Sequence, residues 1–332
     1  MSDKLLSICF INLNGTEKLA PAISNLISTI NHLDGPLKEK IEVIVSDNKS
    51  DDIGDLKEVL RTFNNVDLVS TLEQGGVDIN IMNCFNQSSG DYCWIFAVDD
   101  YINSTSHLKY LLETLHIKKP DMLSFNIGLE TTQFQEQQHV EAAQSITQNL
   151  KFLINSGKIS TCIYKRKDCH IECLELARPF CGVGYFHLSY GASLNKLGHT
   201  SHLFIHDYFV HTLHSKVNHR HDYHPKYSQR AHLAVANDYF LKESPKLRFI
   251  TNNHLLFQLK FIFEIYKNDN FLQWKEEYLH HYITEIGSEA RSSGNLIIKI
   301  VYYIVLLKLF SQKDKLCVYE SFVRLKENSS GL

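Results

Sequence analysis

The chain has 332 residues, of which 44% are hydrophobic and 21% charged, a balance typical of a soluble globular protein with a sizeable core. Its formal net charge of −3 gives no support for nucleic-acid binding. The eight cysteines include no C-x-x-C pair, so the sequence does not predict a zinc ribbon. No signal peptide is visible at the start, and we expect a reducing, cytoplasmic location.

The first 130 residues alternate apolar runs of strand length with segments of helical periodicity. We predict strands over 5–11, 41–45, 66–69, 92–98 and 122–127. Apolar residues at helical spacing follow the first strand, and a second helix is expected over 78–87. Strands that alternate with helices favour parallel pairing, so the pattern predicts a doubly wound α/β domain with a mostly parallel sheet.

The second half of the chain contains one more predicted strand, over 160–164, and becomes mainly helical from about residue 225. We therefore expect an α/β domain over 1–224 and a helical region over 225–332. The apolar run over 296–310 is interrupted by Lys299 and Lys308, whereas a membrane-spanning helix needs about 20 apolar residues. A packed helix is expected there, and contact with a membrane surface is the alternative.

Two adjacent carboxylates, Asp99 and Asp100, follow the predicted strand over 92–98. Like charges held side by side resist joint ionisation, and a divalent cation would relieve that cost. Ligands of open α/β sheets bind at the carboxyl ends of the strands, which places these residues beside a phosphorylated ligand. The alternative is a turn or a helix cap, because polar residues continue over 103–106.

Polar loops also follow the first two predicted strands. The first carries Asn12 and Asn14, and the second carries Asp47, Asn48, Ser50 and Asp51. Each loop alone is a turn by default, because Asn and Asp favour turns. In a parallel sheet, however, these loops and the acidic pair share one edge, where a nucleotide would bind. The Gly-rich signatures of dinucleotide-binding folds and of P-loops are missing from the sequence.

The runs over 7–14 and 42–52, the Gly75-Gly76 pair with Asn83, and the run over 90–96 together resemble family 2 glycosyltransferases of the GT-A fold. Within that family the chain looks most like abequosyltransferase-like enzymes and related bacterial O-antigen or capsule enzymes, which carry a tryptophan before the acidic cluster. The segment over 159–166 resembles one of theirs. The resemblance covers residue 4 to about residue 215.

This resemblance implies that Asp47 hydrogen-bonds a nucleobase and that Asp99 holds Mg²⁺ or Mn²⁺ on a diphosphate, with Asp100 beside it in the catalytic site. A divalent ion stabilises the charge that develops on a departing nucleoside diphosphate. The same resemblance places further residues in the donor pocket: Asn12, Asn14, Asn48 and Gly76.

Two positions depart from the family pattern. The first acid of its D-x-D metal motif is replaced by Ala97. The late Glu-Asp pair that supplies the general base is also missing, and His187 stands nearby. The ordinary pKa of histidine suits proton removal at neutral pH, so His187 is the candidate base, with a buried structural histidine as the alternative. Asp207 and Asp222 are the next candidates.

Eight histidines crowd the stretch from 199 to 224. GT-A enzymes often use a late histidine as a metal ligand, so His211 or His214 could fill that role by resemblance. The run over 219–224 could instead bind zinc, although its spacing matches no structural zinc site. Histidines in solvated loops are the remaining interpretation.

The leading hypothesis is an inverting glycosyltransferase that moves a sugar from a nucleotide-sugar donor to a hydroxyl of a lipid-linked saccharide in bacterial surface-polysaccharide assembly. The pathway rests on resemblance alone. The alternative is a catalytically degenerate GT-A protein that binds sugar nucleotides or acts as an assembly scaffold. A nucleotidyltransferase is disfavoured, because no basic Gly-rich loop follows the first strand. Peripheral membrane contact and a homodimer are both compatible with the sequence.

Overall fold

The computed structural model describes residues 4–72, 75–128, 139–145, 148–149, 152–153, 158–178, 181, 186–212, 291 and 296–311. The chain divides into two compact units, and the first comprises Met1–Tyr223 and Arg230–Val235. The second comprises His224–Gln229 and Ala236–Leu332. The expected domain boundary near residue 224 stays a prediction, and most of the expected helical region over 225–332 lies outside the described residues.

The described part of the first unit contains nine strands and seven α-helices. The strands are β1 (Leu6–Asn12), β2 (Ile41–Asp47), β3 (Val66–Ser70), β4 (Tyr92–Phe96), β5 (Asp100–Ile102), β6 (Met122–Gly128), β7 (Val140–Ala142), β8 (Cys162–Lys165) and β9 (His202–Thr212). The helices are α1 (Thr16–Asn31), α2 (Gly35–Lys38), α3 (Ile53–Leu60), α4 (Val77–Gln87), α5 (Thr105–Lys118), α6 (His170–Ala177) and α7 (Phe186–Lys196). A 3₁₀ helix covers Ile159–Thr161.

The strands form one sheet in the order β3-β2-β1-β4-β8-β6-β9-β5, and β7 pairs with β9. The pairs β3-β2, β2-β1, β1-β4 and β6-β9 are parallel, and the others are antiparallel. Helices flank this mixed sheet, in which the parallel pairs are the longer ones, and the predicted α/β fold class with a mostly parallel sheet is confirmed. Because β1, β2 and β4 run in parallel, their carboxyl ends meet at one edge.

Strand β1 is buried on both faces, which explains why it reads as a continuous apolar run. Leu6, Ile8 and Phe10 belong to the hydrophobic core that also contains the apolar side of α1. Cys9 points the other way, and its Sγ lies 3.2 Å from the hydroxyl of Ser88, just after α4. Strand β1 is therefore packed against α1 on one face and against the end of α4 on the other.

The strand expected over 41–45 continues to Asp47, and two further predicted strand boundaries were wrong. The strand that we expected over 92–98 ends at Phe96, because the chain turns and the amide of Asp100 donates to the carbonyl of Ala97 at 3.2 Å. The strand expected over 160–164 begins two residues later, at Cys162, and follows the 3₁₀ helix. Both deviations lie beside the acidic residues, where hydrogen bonds from other segments override local propensity.

Strand β9 was not predicted, because its histidines break the apolar pattern. It pairs with β5, β6 and β7, and His202 and His211 on it are 1% and 8% exposed. The interpretation of the histidine stretch as solvated loops is therefore wrong for these two residues. His214 and the run over 219–224 lie outside the described residues.

In the second unit the described residues include one long helix, α8 (Leu296–Ser311), at the predicted place. Ile298 and Tyr302 on it are buried, and the hydroxyl of Tyr302 accepts a hydrogen bond from Arg291 at 3.1 Å. None of the helices in the described ranges combines the length and apolarity that a membrane crossing requires.

Candidate active site

A closed polar cluster joins the carboxyl ends of β1 and β2. Asn12 and Asp47 are register partners on the two parallel strands, and both are almost fully buried. The Asn12 Nδ2 group donates to Asp47 Oδ1 at 3.0 Å. Ser50 donates its hydroxyl to Asp47 Oδ1 and its backbone amide to Asp47 Oδ2, at 3.0 Å for the amide. The Asp47 carboxylate is thus held by three donors and fixes the loop that follows β2.

Asn14 extends this cluster toward solvent. Its φ of 51° lies in the left-handed region, which Asn tolerates better than most residues. Its backbone amide donates to the Ser50 hydroxyl at 2.9 Å, and its side-chain oxygen accepts from the amide of Asp51 at 2.7 Å. The loops after β1 and β2 therefore form one rigid unit with an exposed asparagine at its rim.

Asn48 ties the same unit to the start of α4. Its side-chain oxygen accepts from the amide of Gly75 at 3.0 Å and from the hydroxyl of Thr71 at 3.2 Å. Its amide nitrogen donates to the carbonyl of Gly75. Gly76 is the N-cap of α4, and open space surrounds the position that a Cβ would occupy. A ligand could approach the backbone here without meeting a side chain.

The acidic turn, residues 97–100, lies next to the loop after β1. A Cβ added to Gly15 would stand 3.0 Å from Asn12 Oδ1 and 3.5 Å from a methyl group of Val98. Asp99 is half-buried, whereas the side chain of Asp100 is fully buried. The three loops that the sequence placed at one edge are therefore brought together.

Asp100 has a counter-ion that the sequence did not indicate. Lys158 Nζ lies 3.0 Å from Asp100 Oδ1, and the Ser160 hydroxyl donates to Asp100 Oδ2. The Lys158 side chain is about one-third exposed, at 34%. The electrostatic cost of two adjacent carboxylates is thus relieved in part by a lysine.

His211 faces the same turn from β9. Its ring stacks on that of Tyr101, with 5.5 Å between the centroids, and its Nδ1 lies 2.7 Å from the side-chain oxygen of Asn103. Asn103 donates its Nδ2 to the carbonyl of Tyr208, which fixes the orientation of the amide. Nδ1 of His211 therefore carries the hydrogen, and Nε2 is left as an acceptor or a metal ligand.

Burial lowers the pKa of His211, and the nearby charge of Asp100 opposes part of that shift. The neutral imidazole that results is the form that binds metals. The Asp99 charge contributes to a raised pKa of Tyr101, after burial as the main cause, so Asp99 and His211 both act on Tyr101. Among the described residues, however, no three His, Cys, Asp or Glu side chains come together as a complete metal site.

His187 is the second residue of α7 and is only 2% exposed. The amide of the preceding residue, Phe186, donates to Asp78 Oδ1 at 2.9 Å, which fixes the start of α7 against α4. Asp207, an alternative base, is 6% exposed and lies 3.7 Å from His107 Nε2. Asp222 and His214 lie outside the described residues.

Sequence reasoning missed several residues that shape the site. Ser50 is not among them, because the sequence already places it in the polar loop after the second predicted strand. Ser160 stands inside the segment over 159–166 that carries the family resemblance, so its position was available as a signal. Nothing in the sequence singled out Lys158, because its partner Asp100 lies 58 residues away. The same holds for Asn103, whose bond to His211 spans 108 residues.

A family model described as Glycosyl transferase family 2 matches residues 7–173, which is half of the 332-residue chain. The chain belongs to glycosyl transferase family 2. The match includes the loops after β1 and β2, the acidic turn and the 3₁₀ helix, and it supports a glycosyltransferase activity. No match to a curated protein sequence was found.

Solved structures of TarS from S. aureus share the fold. The fragment 1–349 has a TM-score of 0.59 at 17% identity, with 96% of this chain and 91% of that chain covered. Its complex with UDP-GlcNAc gives 0.60 at 15% identity, with 96% and 92% covered. A longer TarS structure gives 0.59 at 16% identity and covers 92% of this chain but 53% of TarS, so the chain spans about half its length. At these identities the likeness shows the GT-A fold alone.

Proposed function

We propose that the protein is an inverting glycosyltransferase that transfers one sugar from a nucleotide-sugar donor to a hydroxyl of a saccharide acceptor. The observation that carries the proposal is the meeting of the Asn12–Asp47–Ser50 cluster with the acidic turn in a family 2 fold. The Asn12–Asp47–Ser50 cluster offers neutral and anionic groups to a nucleoside. The acidic turn offers a carboxylate to a cation bound to the diphosphate.

The nucleoside would occupy the space beside the first two loops. Asp47 reads a ring N–H of the base in this proposal, with Asn12, Asn14 and Asn48 lining the same pocket and Gly76 close to the phosphates. Both Asp47 oxygens already accept hydrogen bonds, so the carboxylate is preorganised by Asn12 and Ser50 before a base arrives. Uracil is the first base to test, because TarS has been solved with UDP and with UDP-GlcNAc.

A divalent cation, Mg²⁺ or Mn²⁺, fits the donor set in part. Asp99 offers a half-buried carboxylate and His211 offers a neutral Nε2. Mg²⁺ is commonly held by one or two carboxylates together with substrate phosphates and water, so a site completed by the diphosphate matches these residues. When bound, the ion would stabilise the negative charge that develops on the leaving diphosphate.

The acceptor hydroxyl would attack the anomeric carbon from the face opposite the diphosphate. The new bond joins the acceptor oxygen to that carbon, the bond to the phosphate oxygen breaks, and the nucleoside diphosphate leaves with the electron pair. His187 takes the acceptor proton in this proposal. Its burial in this structure means that the acceptor has to reach the start of α7 before the proton is transferred.

The finer assignments rest on resemblance. We propose an abequosyltransferase-like role in bacterial surface polysaccharide synthesis, with a lipid-linked acceptor and a protein that works in the cytoplasm against the inner face of the membrane. Fractionation tests the location: the protein should be recovered without detergent, in the soluble fraction or after a salt wash. Extraction by detergent alone would contradict a peripheral contact.

A panel of nucleotide sugars with Mn²⁺ tests the activity. We expect slow hydrolysis of one donor without acceptor, faster turnover with a saccharide acceptor, and loss of both in excess EDTA. The competing function is a degenerate sugar-nucleotide binder, which Ala97 favours because it replaces the first acid of the metal motif. Donor binding by calorimetry without turnover of any donor would support that alternative.

A further inference from the structure

A distant segment holds the acidic turn in place. Trp94 on β4 donates its indole N–H to the carbonyl of Ser160 at 2.9 Å. The amide of Ala97 donates to the hydroxyl oxygen of Ser160 at 3.2 Å, and that hydroxyl donates to Asp100. The Lys158 ion pair completes the set. Four bonds thus join the end of β4 and the turn to Lys158 and Ser160.

The charges in this arrangement are strongly asymmetric. Asp100 is fully buried, so its carboxylate depends on its partners for stabilisation that water would otherwise supply. Asp99 is half-buried, and its charge remains available to a ligand. With Lys158 counted, the turn carries one net negative charge instead of two. A diphosphate that approaches the turn is therefore repelled less than the sequence alone implies.

We propose that Lys158 is the internal counter-ion of the acidic turn: it neutralises Asp100 so that the turn accepts an anionic donor, and with Ser160 it positions Asp99. This inference rests on the proposed function. It adds a positioning and charge-setting residue to the site, and it gives Asp100 a role in holding the turn rather than in contacting the reacting atoms.

A purely structural brace would act differently from a counter-ion. Removal of either partner of a brace disturbs the turn, so both single variants should change donor affinity in the same direction. For a counter-ion the two single variants should change it in opposite directions, because one leaves an extra negative charge beside the diphosphate and the other an extra positive charge.

The test uses the full chain with UDP as the probe, and with each other nucleoside diphosphate if UDP does not bind. Affinity is measured by calorimetry at low and at high salt for the wild type, Lys158→Met, Asp100→Asn and the double variant. We expect Lys158→Met to weaken binding by about threefold or more and Asp100→Asn to strengthen it, with the double variant near the wild type. Lys158→Arg should restore most of the affinity.

Lys167→Met is the matched control, because Lys167 also pairs with an aspartate, Asp91, at 3.1 Å but is 52% exposed. It should leave the affinity unchanged. Shifts of the same sign in the two single variants, or a Lys158→Met affinity equal to that of Lys167→Met, would overturn the proposal.

Thermal unfolding gives a second readout that does not depend on the proposed function. Each single variant should lower Tm by several degrees, and the double variant by less than their sum, because a buried charge without its partner is costly. If the wild type binds no nucleoside diphosphate, the proposed function fails. The ion pair is then judged by the unfolding cycle, and additive losses of Tm would overturn the pairing as well.

Discussion

The two halves of the sheet build their polar sites in different ways. At the ends of β1 and β2 the bonds are local: Asn12 and Asp47 are register partners, and Ser50 follows Asp47 by three residues. The acidic turn after β4 is held by residues from far along the chain, because Lys158 lies 58 residues beyond Asp100. One side of the site can form when two strands pair, whereas the other needs most of the domain in place.

The largest expected effect on activity is at Asp99, in the acidic turn after β4. Asp99→Asn keeps the size of the side chain and removes the charge that a diphosphate-bound cation needs, so we expect transfer to fall by about 10³-fold or more. The variant should fold normally, since the four bonds described above that hold the turn do not involve Asp99. Asp67, an exposed residue of the edge strand β3, supplies the control, and Asp67→Asn should remain fully active. Turnover of Asp99→Asn near the wild-type rate would remove the cation site from this turn.

The second effect concerns the acceptor side. His187→Ala should lower kcat by about 10²-fold with the donor KM largely kept, because a missing base slows proton removal without weakening donor binding. The exposed His116 supplies the control, and His116→Ala should not change kcat. Steady-state kinetics with saturating donor decide the matter. If His187→Ala retains normal turnover, the base lies elsewhere, and Asp207→Asn is the next variant to measure.

The third effect is on donor affinity and concerns Asp47, at the carboxyl end of β2. Asp47→Ala removes an acceptor for the nucleobase and also breaks the bonds that hold Asn12 and Ser50. We expect the affinity for a nucleoside diphosphate to fall about tenfold. Ser50→Ala removes one donor and should cost less. Calorimetry on both variants separates the two contributions, because Ser50→Ala disturbs only the loop whereas Asp47→Ala also removes the proposed acceptor for the base. Equal affinities for Asp47→Ala and the wild type would count against the pocket.

The last expected effect concerns stability, at His202 on β9, the strand that pairs with β5, β6 and β7. Burial lowers its pKa to about 3, and its ring bridges the hydroxyl of Ser124 and the side-chain oxygen of Asn149, with 2.8 Å to the latter. The unfolded chain binds the proton near pH 6.5, so the folded state loses stability as the pH falls from about 6.5 toward 3.

Substitution of this histidine tests that stability loss. His202→Asn should cost some stability at pH 7 but should reduce the fall of Tm between pH 7 and pH 5. The exposed His116 again supplies the control, as His116→Asn should keep the wild-type slope. If His202→Asn reduces the fall of Tm and His116→Asn does not, the burial of His202 accounts for the loss of stability in acid. Parallel Tm curves for the wild type and His202→Asn would contradict this assignment.

The sequence was sufficient for the parallel half because its signals are short-range. Apolar runs buried on both faces mark β1 and β2, and the polar residues directly after them fall at the shared edge. Strand β9 escaped prediction because its histidines face buried partners that only the pairing with β5 and β6 supplies. Lys158 escaped for the same reason, as a lysine before an apolar run looks like any surface charge.

The bond between Trp94 and the Ser160 carbonyl also has a spectroscopic consequence. The buried indole stacks edge-on against Phe96, with ring centroids 4.6 Å apart, and its N–H reports on the segment that holds the acidic turn. The chain has two tryptophans, so Trp274→Phe leaves Trp94 as the single long-wavelength emitter. A change in Trp94 fluorescence on donor binding would report a movement of the acidic turn. Stopped-flow mixing would then give the rate of that movement.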